Sequence, residues 1–448
     1  MILGIESILC LLDDYRAIKH LRVAYSGGVD SHVLLHILAV NRKRLAERTL
    51  SAVYVDHGLH AASGAWGEHC QTVCRQLGLM CERVAVEARP VPGESPEAAA
   101  RNARYRELGA LLGADDALLT AHHCDDQAET LLLQLLRGAG PRGLAAMPAV
   151  AALGRGKLLR PLLSVERNEI LAYARRHDLV WVEDTSNFDT ALDRNYLRHE
   201  ILPRLQRRWP AASRSLTRAA GLCAETVVLT DVLAADDWRR VRRPRPDCLG
   251  VSELRALERP RQRNVLRYWL RLLGLPMPSK AQLCHVLDDV VAARHDSGPC
   301  VRWPGCELRR YRDSLYAMPP LAPHDPNRIW NWSGAAPFLL PGVGRLSLQP
   351  AQGEGLAAAV LSGHELQVRF RRGGERFQPN GRRHSQSLKK LLQELGLPPW
   401  ERSRLPLLYL DDRLVAVAGL GVAAGSSARA GENGWILEWQ NSTPSDTV

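Results

Sequence analysis

The stretch Ser26-Gly27-Gly28-Val29-Asp30-Ser31 decides the fold of the first part of this chain. It follows the apolar run 21–25 and precedes a helix-like segment, 32–40. A strand that turns through two glycines into a helix directs backbone N–H groups and the positive end of a helix dipole at one point. Because this arrangement suits a phosphate or pyrophosphate group, the stretch predicts a nucleotide site.

The loop differs from the two best-known nucleotide-binding patterns. It lacks the G-x-x-x-x-G-K-[ST] spacing, so it carries no lysine to the β- and γ-phosphates, and G-x-G-x-x-G is also absent. In an isolated turn, Ser26 or Ser31 would only cap a helix. The loop resembles instead the S-G-G-x-D-S loop of the N-type ATP pyrophosphatases, also called PP-loop enzymes. That resemblance implies that ATP is split to AMP and pyrophosphate.

Short apolar runs alternate with helical patterns through the first half of the chain. This βαβαβαβα order predicts an α/β fold with a doubly wound parallel sheet and with ligands at the carboxyl ends of its strands. Three polar clusters fall at such ends: the Ser26 loop, Asp56-His57-Gly58 and 122–130. The candidate strands are 21–25, 50–56, 80–86 and 117–121, and the candidate helices are 31–47, 64–78, 95–113 and 125–137.

Composition limits the class of protein. A chain of 448 residues should form about two or three domains with their own cores. The formal net charge of +11 makes a polyanion such as nucleic acid a plausible partner, although solubility alone also explains it. The ten cysteines contain no C-x-x-C pair, which favours reduced thiols in a cytoplasmic protein. No run reaches the roughly 18 apolar residues of a membrane span, so we expect no membrane partner.

The third polar cluster places two acids on one predicted helix face. Asp126 and Glu129 are three residues apart near the start of that helix. One interpretation is a capped helix start, which contributes about 1 kcal/mol. A zinc site is disfavoured, because the neighbouring His122 and His123 would point in opposite directions on a strand. Carboxylates beside a phosphate site suit Mg²⁺ or a cationic substrate.

Three strings together resemble the signature of the tRNA(Ile)-lysidine synthetase family, densely over the first 205 or so residues. They are 121–130 with 135–140 and 143–144, then 183–189 with Arg194, Asn195 and Arg198, and finally Ala100-Arg101-Asn102-Ala103-Arg104-Tyr105. The resemblance implies a carbon–nitrogen ligase. ATP would adenylate the C2 oxygen of the wobble cytidine in tRNA(Ile) with a CAU anticodon, and the ε-amine of free lysine would displace AMP.

The resemblance also implies roles for individual residues. Residues 26–31 would cradle pyrophosphate, with Asp30 as the acid linked to Mg²⁺. Asp126 and Glu129 would recognise lysine. Further candidates lie on the same predicted edge or in the family strings: Arg101, Arg104 and Arg137 for phosphates or the substrate carboxylate, His122 for the nucleotide, and Asp56 and His57 without an assigned role.

The chain divides by pattern into three segments: a PP-loop catalytic domain over 1–215, a helical tRNA-recognition domain over 216–320, and a linker with a small, basic α+β C-terminal domain over 321–448. The last resembles the RNA-contacting domain of the long bacterial form of the family. Between residues 369 and 404 there are ten Lys and Arg against three Asp and Glu, interleaved with Phe377 and Trp400. A charge run is most often a solvated face, and aromatic residues are most often core.

Two alternatives to a lysidine-forming enzyme stay open. Another PP-loop enzyme, such as a tRNA cytidine thiolase, typically needs paired cysteines, whereas Cys124 stands alone near the predicted site. A non-catalytic tRNA-binding module would not need the intact acids of the loop. Self-association into a homodimer is also left open.

Overall fold

The structure, a computed structural model, describes residues 3–56, 63–86, 96–184, 188–294, 298–362 and 364–441. The chain divides into two compact units, one up to Asp231 and one from Val232 onward. His57 and Gly58 of the second polar cluster and residues 185–187 of the family string lie outside the described residues.

A six-stranded sheet forms the centre of the N-terminal unit, in the order β3-β2-β1-β4-β6-β5. All neighbouring strands run parallel except the β5–β6 hairpin. The predicted parallel sheet is therefore confirmed, and β5 and β6 extend it. The strands are β1 (His20–Ala24), β2 (Thr49–Asp56), β3 (Cys81–Ala85), β4 (Asp116–Leu119), β5 (Val150–Leu153) and β6 (Gly156–Leu159).

Helices follow the strands as the sequence predicted, and further short helices continue to residue 208. A 3₁₀ turn over Arg42–Leu45 ends the region predicted as one long second helix, and a π-helical turn covers Leu197–Ile201. The helices are α1 (Glu6–Asp13), α2 (Val29–Val40), α3 (Ser63–Gln76), α4 (Pro96–Ala110), α5 (Cys124–Leu136), α6 (Pro141–Leu144), α7 (Arg167–Arg176), α8 (Asp193–Tyr196), α9 (Leu202–Arg208) and α10 (Ala212–Val241).

Alternate residues of the central strands bury opposite faces of this sheet. Val23 and Leu119 belong to a core shared with α1, α2, α3 and α7. Their strand neighbours Leu118 and Val53 belong to a second core, shared with Leu108 of α4. Since both faces are covered, the carboxyl ends of the strands are the sheet edge where a ligand crevice forms.

In its described residues, the C-terminal unit combines helices with four antiparallel sheets. The predicted helical middle segment is accompanied by the sheet β7-β10-β9-β8, and the C-terminal part holds β11-β15-β18-β19-β20, β12-β13-β21-β14 and β16-β17. Its helices are α11 (Val251–Arg255), α12 (Arg259–Leu272), α13 (Lys280–His285), α14 (Ala358–Leu361), α15 (Leu388–Glu394) and α16 (Pro399–Arg402), with a π-helical turn at Val286–Val291. Its strands are β7 (Cys248–Gly250), β8 (Cys300–Trp303), β9 (Cys306–Tyr311), β10 (Ser314–Met318), β11 (Trp330–Trp332), β12 (Phe338–Leu340), β13 (Gly344–Gln352), β14 (Leu356–Ala357), β15 (Leu366–Arg369), β16 (Arg376–Phe377), β17 (Gln386–Ser387), β18 (Leu407–Leu410), β19 (Arg413–Val417), β20 (Gly421–Val422) and β21 (Asn433–Asn441).

None of the helices in the described part of the chain combines the length and the hydropathy needed to cross a bilayer.

Candidate nucleotide and substrate site

The loop between β1 and α2 is held by its own serines. The Ser31 hydroxyl accepts a hydrogen bond from the Ser26 N–H at 3.2 Å and donates one to the Gly28 carbonyl at 3.0 Å. Gly27 has φ +85°, a left-handed conformation that side chains rarely adopt, and a Cβ there would lie 3.2 Å from the Cys70 sulfur. Ser31 thus stabilises the turn, and no side chain of the described residues caps α2.

The uncapped start of α2 leaves its first-turn N–H groups without intrahelical acceptors. Gly28 is the N-cap residue and has extended backbone, so the chain enters the helix directly from the glycine turn. These N–H groups and the helix dipole favour an anion at this point. The observed geometry is the arrangement that the sequence predicted for a phosphate cradle.

A cavity of about 670 Å³ opens beside this loop, at the carboxyl ends of β1, β2 and β4. Its size is within the range of small-molecule sites. Of the residues proposed from sequence, the structure brings Ser26, Gly28, Asp30, Ser31, Arg104, His122 and Asp126 to its wall. Gly27 and Val29 belong to the same loop but are buried beneath it.

His123 connects the loop to the start of α5. Its side chain is 2% exposed, and its Nε2 lies 3.7 Å from Asp30 and 3.4 Å from Asp126. Nδ1 accepts a hydrogen bond from the Asp125 N–H, which assigns the ring proton to Nε2, between the two carboxylates. The other oxygen of Asp30, Oδ1, is buried and has no hydrogen-bond partner among the described residues. One oxygen of Asp30 is therefore left without a hydrogen bond by the described residues.

Two arginines cover the two acids of α5. Arg194 donates to Glu129 at 2.7 Å and to Asp126 at 3.0 Å. Arg198 donates to Glu129 at 2.7 and 3.0 Å and to Asp126 at 2.8 Å. Glu129 is fully buried and lies outside the cavity wall, whereas Asp126 lines the cavity. The two predicted lysine-binding acids thus differ in their access to the cavity, because Asp126 lines it, whereas Glu129 is buried against Arg194 and Arg198.

The start of α5 also carries a capping box, which lies three residues before the predicted one. His123 is the N-cap, and Asp126, not Glu129, closes the box by accepting the His123 N–H at 3.0 Å. Both histidines follow β4 instead of lying within it, so the argument from strand alternation does not apply to them. Asp126 consequently combines a capping role with a cavity position.

The ionisation of this wall follows from burial and from its charges. Burial opposes the charged form of Asp126, but His123 and Arg194 outweigh it, so the pKa of this carboxyl is lowered. Burial lowers the pKa of His122 to about 3. His122 is therefore neutral at pH 7, and its Nδ1 shares a hydrogen bond of 2.8 Å with the Thr120 hydroxyl.

Three arginines provide positive charge near the cavity without a carboxylate partner in the described part of the chain. Arg101 and Arg104 lie against the Tyr105 ring, with guanidinium carbons 5.3 and 5.4 Å from its centre. Arg160, which the sequence interpretation missed, is buried and donates to the Pro148 carbonyl. Burial lowers the pKa of Arg104 and of Arg160. An anionic ligand would offset this charge.

Arg137 does not join the site. It is the C-cap of α5 and is exposed, at the end of the helix away from the cavity. It follows Asp126 by 11 residues, which is about 16 Å along a helix axis. The structure therefore does not place Arg137 at the cavity, and its role toward phosphates or the substrate carboxylate stays a prediction.

Of the second polar cluster, the structure describes only Asp56, which is not among the residues that line the cavity. Asp56 ends β2 and accepts a hydrogen bond of 2.5 Å from Arg83. Tyr54 and Trp66, which sequence reasoning missed, do line the cavity. Tyr54 lies on β2, where its aromatic character looked like ordinary strand core, and its hydroxyl donates to the Ser63 carbonyl at 2.8 Å. These rings give the cavity a flat apolar side suited to a base.

Family matches agree with this architecture. Residues 6–205 match the family described as PP-loop domain. Residues 249–316 match the TilS substrate binding domain, and residues 366–439 match the TilS substrate C-terminal domain. The loop, the parallel sheet and the crevice therefore define a PP-loop protein that uses ATP.

Curated relatives are similar over nearly the whole chain. The tRNA(Ile)-lysidine synthase of Coxiella burnetii is 40% identical over 439 residues, which are 97% of this chain and 96% of the relative. That of Alkalilimnicola ehrlichii is 47% identical over 91% of both chains, and that of Methylococcus capsulatus is 43% identical over 96% of this chain and 99% of its own. The chain belongs to the tRNA(Ile)-lysidine synthase family, a family of ligases that act on tRNA.

Solved structures are less similar. The U34-tRNA thiolase NcsA from Methanococcus maripaludis has a TM-score of 0.40 at 19% identity and covers 46% of this chain and 72% of its own. A TilS C-terminal domain has a TM-score of 0.23 at 22% identity and covers 26% of this chain and 99% of its own. Neither score is high enough to support an argument about this site.

Proposed function

We propose that this chain forms lysidine on tRNA(Ile), joining free lysine to C2 of the wobble cytidine of a CAU anticodon at the expense of ATP. The observation that carries the proposal is the uncapped glycine turn at α2, which opens into the same cavity as Asp30 and Asp126. Membership of the lysidine synthase family supports the reaction type. We expect the reaction in the cytoplasm, and self-association of the chain stays open.

The loop side of the cavity is assigned to the phosphates of ATP. First-turn N–H groups of α2 would bind the pyrophosphate, and they would stabilise it as it leaves when the cytidine oxygen attacks the α-phosphate. Tyr54 and Trp66 would contact the base of the nucleotide. Arg104 adds a cation to the same wall, where negative charge develops on the leaving group.

Mg²⁺ fits Asp30. Its Oδ1 is buried and has no hydrogen-bond partner among the described residues, as expected of an oxygen that would coordinate a metal ion. The described residues contain no group of three or more His, Cys, Asp or Glu placed to hold a metal. Mg²⁺ commonly binds one or two carboxylates together with substrate phosphates, so one acid is enough. The ion would neutralise charge on the leaving pyrophosphate.

The acids of α5 are assigned to lysine. Asp126 would contact the lysine ammonium, since it lines the cavity and its pKa is lowered, which keeps it anionic. Glu129 would support Asp126 in this role by holding Arg194 and Arg198 in place. An anionic carboxylate with a lowered pKa is a weak base, so the group that takes the proton of the attacking amine stays unassigned.

The experiment is to identify the nucleotide products of the tRNA-dependent reaction. AMP and pyrophosphate are expected from the wild type, and ADP with phosphate would contradict the proposal. Asp30→Asn is expected to lower turnover by at least about 100-fold with an unchanged melting curve, because the carboxylate faces ligand and not core. Near-normal turnover of this variant would exclude Asp30 from the site.

A further inference from the structure

Three cysteines lie close to the loop between β1 and α2. Cys70 and Cys74 of α3 are fully buried, whereas Cys81, the first residue of β3, is partly exposed. The Cys70 thiol donates to the Tyr25 carbonyl at 3.9 Å, and its sulfur is the nearest atom to a Cβ placed on Gly27. The innermost of these thiols therefore packs directly under the glycine turn.

The end of α3 brings Cys81 back to Cys74. Gly78 has φ +66°, and its N–H donates to the Arg75 carbonyl at 3.0 Å, while the Leu79 N–H donates to the Cys74 carbonyl at 2.8 Å. These two hydrogen bonds form a Schellman motif, which ends the helix and turns the chain into β3. The Cys74 thiol then donates a hydrogen bond to the Cys81 sulfur.

This hydrogen bond makes the two thiols unequal. It lowers the pKa of Cys81, and together with burial it raises the pKa of Cys74. The thiolate is the reactive form of cysteine, so Cys81 is the better nucleophile, and it is also the thiol that solvent reaches. Core cysteines usually act only as small apolar side chains. This pair differs, because its outer sulfur is accessible to an oxidant and its inner sulfur lies within reach of the product.

We propose that Cys74 and Cys81 form a dithiol site that peroxide oxidises to a disulfide. The Cys81 thiolate attacks one peroxide oxygen, the O–O bond breaks, and the sulfur becomes a sulfenic acid while the second oxygen takes up a proton and leaves as water. The Cys74 sulfur then attacks the Cys81 sulfur. The S–S bond forms as the S–O bond breaks, and the departing hydroxide leaves as water with the Cys74 proton. Two thiols are thereby oxidised by two electrons, one peroxide is reduced to two waters, and an external dithiol reverses the change.

The disulfide would act on the nucleotide site through α3. Trp66, Cys70 and Cys74 follow one another at a spacing of four residues, which places them on one face of that helix. Trp66 lines the cavity, and Cys70 packs under the glycine turn. A disulfide holds its sulfurs closer than a hydrogen bond does, so its formation draws the last turn of α3 toward β3 and shifts both of these contacts. Oxidation is therefore expected to weaken ATP binding.

The first measurement treats the reduced full chain with hydrogen peroxide and maps its cysteines by mass spectrometry. A peptide pair linked through Cys74 and Cys81 is expected in the wild type and in the control Cys10→Ser, which removes an exposed thiol of α1. In Cys74→Ala, Cys81 is expected to stop at the sulfenic acid, which dimedone traps. Absence of the linked pair from the wild type, or a bond between Cys70 and Cys74 in its place, would overturn the proposal.

The second measurement titrates ATP without tRNA or lysine, so that only the ATP site of the proposed function enters. The oxidised wild type is expected to bind ATP at least about fivefold more weakly than the reduced protein, and a dithiol is expected to restore the affinity. Cys81→Ala is expected to keep its affinity after peroxide treatment, whereas Cys10→Ser is expected to lose it as the wild type does. Equal affinity of the oxidised and reduced wild type, or the same loss in Cys81→Ala, would overturn the effect on the site. A reduced wild type that binds no ATP would instead contradict the proposed function, and the peptide map would still decide the disulfide.

Discussion

The strongest structural prediction concerns Glu129→Gln. The Glu129 carboxylate is fully buried and accepts three hydrogen bonds of 2.7 to 3.0 Å from Arg194 and Arg198. The substitution keeps the size of the side chain and removes its charge. Two partly buried guanidinium groups then share Asp126 as their remaining carboxylate.

The expected loss of stability is about 3 kcal/mol. Breaking a buried ion pair from one side typically costs about 3–5 kcal/mol. The lower end applies here because the Arg194 and Arg198 side chains are 22% and 25% exposed and regain some hydration. In a unit of this size, the loss corresponds to a melting shift of roughly 6–12 °C.

The assay is thermal melting, together with hydrogen exchange of the α5 amides. Glu6→Gln is the matched control, because Glu6 is likewise a glutamate that pairs with an arginine. It accepts two hydrogen bonds from Arg44, but on the surface. We expect no measurable change for the control. The double variant Glu129→Gln with Arg198→Gln is expected to lose less stability than the sum of its parts, by about 1–3 kcal/mol.

The melting of Glu129→Gln and of the double variant can also contradict a role of the buried network in stability. If Glu129→Gln melts within about 3 °C of the wild type and the double variant is additive, the buried network does not hold α5 in place. If the network does hold, Glu129→Gln also raises the lysine KM, because the freed arginines then compete with the lysine ammonium for Asp126. An unchanged lysine KM alongside a large melting shift would limit Glu129 to stability.

Three further predictions follow from other parts of the chain. Asp126→Asn is expected to raise the lysine KM at least about tenfold while the ATP KM stays within about twofold; separate titrations of the two substrates decide this, and a loss of stability with an unchanged lysine KM would limit Asp126 to the capping box and to its ion pairs with Arg194 and Arg198. Gly27→Ala forces a side chain into φ +85° and to 3.2 Å from the Cys70 sulfur, so weaker ATP binding is expected in an equilibrium titration, and unchanged affinity would contradict the cradle. Replacing the exposed Lys389 and Lys390 by glutamine is expected to reduce the salt slope of tRNA binding by about two, and an unchanged slope would assign their charge to solubility.

The α/β fold could be predicted because its signals are local. Each of the four predicted strands is a short apolar run followed by a helical pattern, and each polar cluster stands directly after a strand. β5 and β6 escaped prediction, since two four-residue strands around a turn at Gly154 show too few residues for a period. The antiparallel sheet β7-β10-β9-β8 was missed although β9 and β10 have six and five residues, because the whole segment 216–320 was predicted to be helical.

The candidate site could be predicted only in part, because much of its chemistry is non-local. The loop and Asp126 are visible as motifs, but Arg194 reaches Glu129 across 65 residues of chain, and no spacing rule gives that contact. The sequence does not show which aromatic residues of the basic tail belong to the core, and only the structure distinguishes them. Phe377 is core at 2% exposure, whereas Trp400 lines a cavity with arginines.

The mass of the wobble nucleoside shows whether the chain forms lysidine. The full chain is incubated with ATP, lysine and an unmodified tRNA(Ile) carrying a CAU anticodon, and the tRNA is then digested to nucleosides. We expect the wobble cytidine to gain the mass of one lysine less one water, and only when ATP and lysine are both present. A wobble cytidine of unchanged mass after complete consumption of ATP to AMP, or one that gains sulfur in place of lysine, would contradict it.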